Sequence, residues 1–336
     1  MIEKNDSSLR AFTLVEVMVS MTVLVLLIVL IAQILSQASA TITRSTKQMD
    51  VASQAGTALD RIGSTLGSIK IAQGVVPVVY KNTPNETGKK SGITNDGFAF
   101  LSNGRTRNRA SVTAPFIRMS MMGYRVTSEK ESLMNNAEVP MLSWGDGTIS
   151  FSTASGNVQT SSQAKSSLMT AIQTVAKDLE TGNQNMVNFQ TLGSGIFRFE
   201  VCFLLDDGTV VSTPPRDVNF PAATNPTLTG DAYAVAVSSE TSADVNKRYV
   251  KAFIVGLAGL DLRSRELVGT NGVNLYKLSE DFPDPATINQ TPLQAWDFTS
   301  DTTAAKALRS KISNYPPPIL QNLRVYQRYF YLNSVQ

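Results

Sequence analysis

Residues 12–35 form an apolar run in which the only ionisable side chain is Glu16. Its polar interruptions are Thr13, Ser20, Thr22 and Gln33, and Leu24 to Ile31 is a solid apolar block. At about 1.5 Å rise per residue, a helix over this run is roughly 36 Å long, enough to cross a hydrocarbon layer of roughly 30 Å. One membrane-spanning helix is therefore expected over 12–35. Glu16 is its anomaly. A lone carboxylate in hydrocarbon is costly unless it is paired or neutralised, so it asks for a partner.

Three readings of this segment differ in what they require. A plain signal anchor needs only the apolar length. A secretory signal peptide has Lys4 and Arg10 in front and small residues at Ala38 to Ala40 resembling a cleavage site. Its apolar region would exceed the usual length of about 7–15 residues, and Glu16 sits badly in it. The third is a short polar leader, residues 1–11, ending at a small residue. Phe12, Thr13-Leu14, Glu16 and the long apolar helix then follow in order.

The stretch "AFTLVEVMVS" (11–20) resembles the amino-terminal signature of type IV pilins and type II secretion pseudopilins. The resemblance implies that a prepilin peptidase cuts between Ala11 and Phe12 and methylates the new amine of Phe12. Glu16 then becomes the fifth residue. It pairs with the amine of a neighbouring subunit's Phe12 and sets subunit register. Glycine nearly always precedes the cut in that family. Alanine is the next smallest side chain, so slower processing is expected here. The alternative for Glu16 is snorkelling to nearby headgroups. Lys4 and Arg10 before the span and Arg44 and Lys47 after it leave orientation open. The resemblance places the protein in the inner membrane as a single-pass chain with a periplasmic or extracellular head. Its implied partners are other pilin or pseudopilin subunits, the prepilin peptidase, the inner-membrane assembly platform and the lipid bilayer.

Beyond the span the helix is expected to continue, giving one spine from about 12 to about 70. Ala38, Ile42, Met49, Ala52, Leu59, Ile62, Leu66 and Ile69 recur at spacings compatible with one stripe. Residues 36–73 are thus the amphipathic half of the spine. Gly56, Gly63 and Gly67 are weak points, and Gly74 and Pro77 are stops.

Residues 74–336 read as a β-rich head. "GVVPVVY" (74–80), interrupted by proline, suits an edge or a first strand. Strands are also expected at 97–102, 114–128, 147–153, 233–239 and 323–333. A hairpin around Asp207-Gly208 is expected within 197–213, and a strand buried on both faces within 248–265. Helices are expected at 166–180 and 301–312, and "YPPPIL" (315–320) as an extended segment. The predicted class is α+β: a long amino-terminal membrane-spanning spine helix packed on a large antiparallel sheet, pseudopilin-like. The size and the buried strand followed by a terminal strand resemble J-type minor pseudopilins and PilW-like minor pilins. The layout is similar to a verrucomicrobial group of prepilin-type cassette proteins, cassette protein C. Glu16 argues against the K-type minor pseudopilin, whose family lacks that acid.

Composition excludes several chemistries. The 336 residues contain no histidine, which removes the commonest general base and metal ligand. One cysteine, Cys202, forms neither an internal disulfide nor a thiolate metal site alone and suits a buried apolar position. A net charge of +3 makes no bulk case for nucleic acid as a partner. Asp206-Asp207-Gly208 lacks the ligand run of a calcium loop, and the spacing of Asp281, Asp284 and Asp297 supports none. Lys89, Lys90, Arg105, Arg107 and Arg109 read as solvated loop charges, with DNA capture the minority alternative. The expected role is structural and non-enzymatic, with no cofactor and no metal. The competing class is a membrane-anchored extracytoplasmic protein that binds DNA or a surface ligand.

Overall fold

The structure, a computed structural model, describes residues 13–69, 77–81, 95–102, 118–131, 137–150, 188–217, 232–240, 242–261, 264–266 and 275–332. The chain divides into two compact units, Met1–Met49 and Asp50–Gln336. The helix α1, Leu14–Leu66, contributes to both.

α1 starts where Thr13 Oγ1 accepts the Glu16 N–H at 3.3 Å, in the manner of a capping side chain. It stops four residues before the expected end. The Ser68 and Ile69 N–H groups donate to Thr65 and Leu66 carbonyls, a tightened final turn. Ile69 then bridges Ser102. In the second unit the buried stripe is Val51, Ala55, Ala58, Leu59, Ile62 and Leu66. The expected stripe was right at Leu59, Ile62 and Leu66 and wrong upstream, where Ala52 and Met49 are exposed. Small residues at 55 and 58 let the helix approach the sheets closely, which a hydropathy stripe does not reveal.

Among the described residues ten strands follow the helix: β1 (Val78–Tyr80), β2 (Gly97–Ser102), β3 (Arg118–Glu131), β4 (Ala137–Ser150), β5 (Asn188–Gly193), β6 (Ile196–Leu205), β7 (Val210–Val211), β8 (Ala232–Ala234), β9 (Val250–Gly259) and β10 (Arg324–Tyr331). They form two antiparallel sheets, not the single one expected. One is ordered β5-β4-β3-β2-β1-β8 and the other β10-β9-β6-β7. Between β9 and β10 the described residues include the short helices α2 (Leu275–Asp281), α3 (Pro292–Ala295), α4 (Thr303–Ile312) and α5 (Pro317–Asn322).

β9 shows why two layers form. Phe253, Val255 and Leu257 join a core with Ala55, Ala58, Leu59 and Ile62 of α1 and with Phe98, Tyr124 and Trp144 of the six-stranded sheet. Ala258, facing the other way, joins Trp296, Leu308, Ile312 and Ile319 of the helical layer. The period-2 alternation of a strand thus serves two cores, as the apolar run at 252–260 predicted.

Other expectations need correction. Of the two placements expected for 74–80, β1 is the first strand and not an edge, since β2 and β8 flank it on both sides. Pro77 stands just before the strand, where its missing N–H removes no ladder bond. The strand expected at 147–153 is β4, which starts ten residues earlier and carries Pro140. β5 pairs only with residues 142–146, so Pro140 lies on an open edge. The strand expected at 233–239 shrinks to β8. β5, α2 and α3 were not anticipated. The prolines at 315–320 open α5 instead of extending the chain, because the first turn of a helix has no use for their absent N–H groups. The helix expected at 166–180 lies outside the described residues. The hairpin holds: Gly208 takes φ 85°, and the Gly208 N–H donates to Leu205 O at 3.1 Å.

Candidate functional site

In the first unit every described residue from Thr13 to Thr46 is exposed, including all the large apolar ones, with Leu14 at 76% and Leu26 at 63%. Within Leu14–Ala32 the hydroxyl side chains are Ser20 and Thr22. Ser20 Oγ donates to Glu16 O at 2.7 Å and Thr22 Oγ1 to Met18 O at 2.8 Å. The helix therefore satisfies its own hydroxyls, as an apolar solvent demands. Glu16 remains. Among the described residues nothing pairs with its carboxylate. Ala11 and Phe12 lie outside the described residues, as do Lys89, Lys90, Arg105, Arg107 and Arg109.

In the second unit the rest of α1 is seated on the sheets by close approaches. The Gly195 N–H donates to Gln54 Oε1 at 2.8 Å. A Cβ on Gly259 would stand 3.0 Å from Val51 Cγ1 and 3.2 Å from Gly195 O, so helix and strand are in tight contact there. Arg61 lies over the Trp144 ring at 4.4 Å, and Thr65 Oγ1 meets Tyr124 Oη at 2.5 Å.

A buried charge cluster lies between the sheets and the segment after α2. Lys81 directly follows β1, and Asp96 directly precedes β2. Lys81 Nζ lies 2.6 Å from Asp96 Oδ2 and 2.7 Å from Glu200 Oε1, and donates to Val201 O at 2.6 Å. Glu200 Oε2 lies 3.0 Å from Arg198 Nη2, which also pairs with Asp284. Asp96 Oδ2 accepts the Val201 N–H at 2.8 Å. Burial pushes the Glu200 carboxyl up to about 7, helped by the Asp96 charge and opposed by Lys81 and Arg198. Burial likewise raises Asp96, and it brings Asp284 to about 6. For Lys81, burial opposes the charge but Asp96 and Glu200 outweigh it, so its pKa rises. Cys202 is fully buried, and its thiol is pushed up by burial, which makes it inert.

The cluster escaped the sequence reading, although a signal for it exists. In "FRFEVCF" (197–203) one alternating set, Phe197, Phe199, Val201 and Phe203, is wholly apolar, and the other carries Arg198, Glu200 and Cys202. Charges on a strand flanked by buried neighbours must be paired. Asp284, weighed as a calcium ligand, is instead Arg198's partner. Asp281 accepts from Tyr315 Oη at 2.6 Å, and Asp297 accepts the Thr299 N–H at 2.8 Å. Among the described residues no group of acids, cysteine or histidine could hold a metal ion. No protein-family model, no curated protein and no solved structure matches this chain.

Proposed function

We propose that this chain is a minor pilin-like or pseudopilin-like structural subunit of a type IV pilus or type II secretion filament, without enzymatic activity. A prepilin peptidase cuts between Ala11 and Phe12 and methylates Phe12. α1 inserts into the inner membrane and assembles among the helices of other subunits, and Glu16 pairs with the Phe12 amine of the next copy. The head lies in the periplasm or outside the cell.

One observation carries this reading: an exposed apolar helix whose Ser20 and Thr22 hydroxyls bond back to its own carbonyls and whose Glu16 carboxylate, near its start, has no partner among the described residues. Such a helix in water would expose far more apolar surface than a soluble protein tolerates. An acid on an exposed apolar helix, with no partner among the described residues, fits a partner supplied by another subunit.

The test is mass spectrometry of the membrane-extracted protein. The expected terminus is N-methylated Phe12. An intact Met1 would favour the membrane-anchored binding protein, and a terminus at Thr41 a cleaved secretory signal.

A further inference from the structure

The cluster around Lys81 contains more than ion pairing needs. Three carboxylates, from Asp96, Glu200 and Asp284, face two cations, from Lys81 and Arg198. The inner members are shut off from water: side-chain exposure is 10% for Lys81, 2% for Asp96 and none for Glu200. Phe203 closes one side, its ring centre 5.9 Å from Lys81 Nζ. Taking separate ions out of water is costly, and mutual attraction repays this poorly. A chemical route exists that removes two of the charges.

We infer that Lys81 and Asp96 are joined by an intramolecular isopeptide bond, formed with Glu200 as the proton carrier. The requirements for amide formation meet at this place. Lys81 Nζ touches Asp96 Oδ2 at 2.6 Å, so the carboxyl carbon is one C–O bond further on. Burial holds amine and carboxyl together in a dry site, which supplies the positioning that dilute solution lacks. Glu200 Oε1, 2.7 Å from Nζ, can take a proton from the nitrogen and return it. Arg198 holds the other Glu200 oxygen in place.

The step balances without oxidant or reductant. A proton passes from the Lys81 ammonium to the Asp96 carboxylate, leaving a neutral amine and a neutral acid. The Nζ lone pair adds to Cγ of Asp96 and the new C–N bond forms. Glu200 accepts the proton that nitrogen sheds and delivers it to the departing hydroxyl. The C–O bond breaks, one water leaves and Glu200 returns to its starting state. The surroundings also suit the product. The Val201 N–H, now on Asp96 Oδ2, remains a donor for the amide oxygen, and Val201 O and Glu200 remain acceptors for the amide N–H. The bond covalently staples the end of β1 to the start of β2 and closes the segment between them into a ring. It stands independently of the membrane reading.

The test uses the full chain, purified in detergent and then unfolded. Its intact mass is compared with that calculated from its own amino terminus. A mass lower by one water is expected, with trypsin failing to cut after Lys81 and releasing a branched peptide that joins Lys81 to Asp96. Glu200→Gln, folded by circular dichroism, is expected to regain the full mass. A folded wild-type chain at full mass and cut after Lys81 overturns the inference. So does a missing water that maps to other residues. A folded Glu200→Gln that still yields the branched peptide overturns the part assigned to Glu200.

Discussion

Gly63 of α1 lies directly against Phe330 of β10: a Cβ on the glycine would stand 2.9 Å from ring carbon Cε1. Helix and edge strand touch there because one of them has no side chain. Gly56, seven residues earlier on the same helix, has open space around its missing Cβ. The two glycines therefore predict opposite results. Gly63→Ala pushes on a buried ring and is expected to cost about 1–2 kcal/mol. Gly56→Ala removes only backbone freedom and is expected to add about 0.5–1 kcal/mol. Denaturant midpoints of the two variants check this. Equal shifts of the same sign would contradict the packing.

The buried acids set a pH dependence. Glu200 is raised from 4.5 to about 7 and Asp284 from 3.8 to about 6, in both cases by burial first. The folded chain thus holds these protons more tightly than the unfolded chain. Their contribution to stability is complete below the unfolded values and is lost as pH rises through the folded ones. The Tm is expected to fall from about pH 5 to about pH 8, and Glu200→Gln to flatten the upper part of that fall. A Tm that rises over this range is the contrary result.

Trp296 anchors the helical layer. It is fully buried, its Nε1 donates to Pro283 O at 2.9 Å, and its ring meets Phe282 edge-on at 5.8 Å. Trp296→Ala is expected to cost about 3–5 kcal/mol through the cavity it leaves. Near-ultraviolet circular dichroism and chemical denaturation report it. A loss below about 1 kcal/mol would mean the layer collapses onto the gap.

Glu16→Ala tests the register pairing. Membrane insertion should persist, since the change makes the helix more apolar. Incorporation with partner subunits should fall about tenfold, equivalent to about 1.4 kcal/mol. Undiminished recovery of partners in a pull-down would remove the register role.

Much of this protein can be read from residue order, where the physics is local or periodic. The apolar helix needs only its own composition. The Asp207-Gly208 hairpin needs only a turn that takes a positive φ. The strand over 250–259 needs only a run of apolar residues too short for a membrane. Glu16 stands out because no nearby residue justifies a charge in such company.

Tertiary structure decided the rest, because there the deciding atoms are distant in sequence. That β1 is interior depends on β8, some 150 residues away. Pro140 is tolerated because β5 pairs with β4 only beyond it. The alanines that seat α1 look unremarkable until two sheets close around them. Lys81, Asp96, Glu200, Arg198 and Asp284 come from four separate stretches, and only the strand carrying Arg198 and Glu200 gives a local sign that its charges are buried. Burial turns such charges into chemistry, and burial is a property of the closed fold rather than of any one stretch of chain.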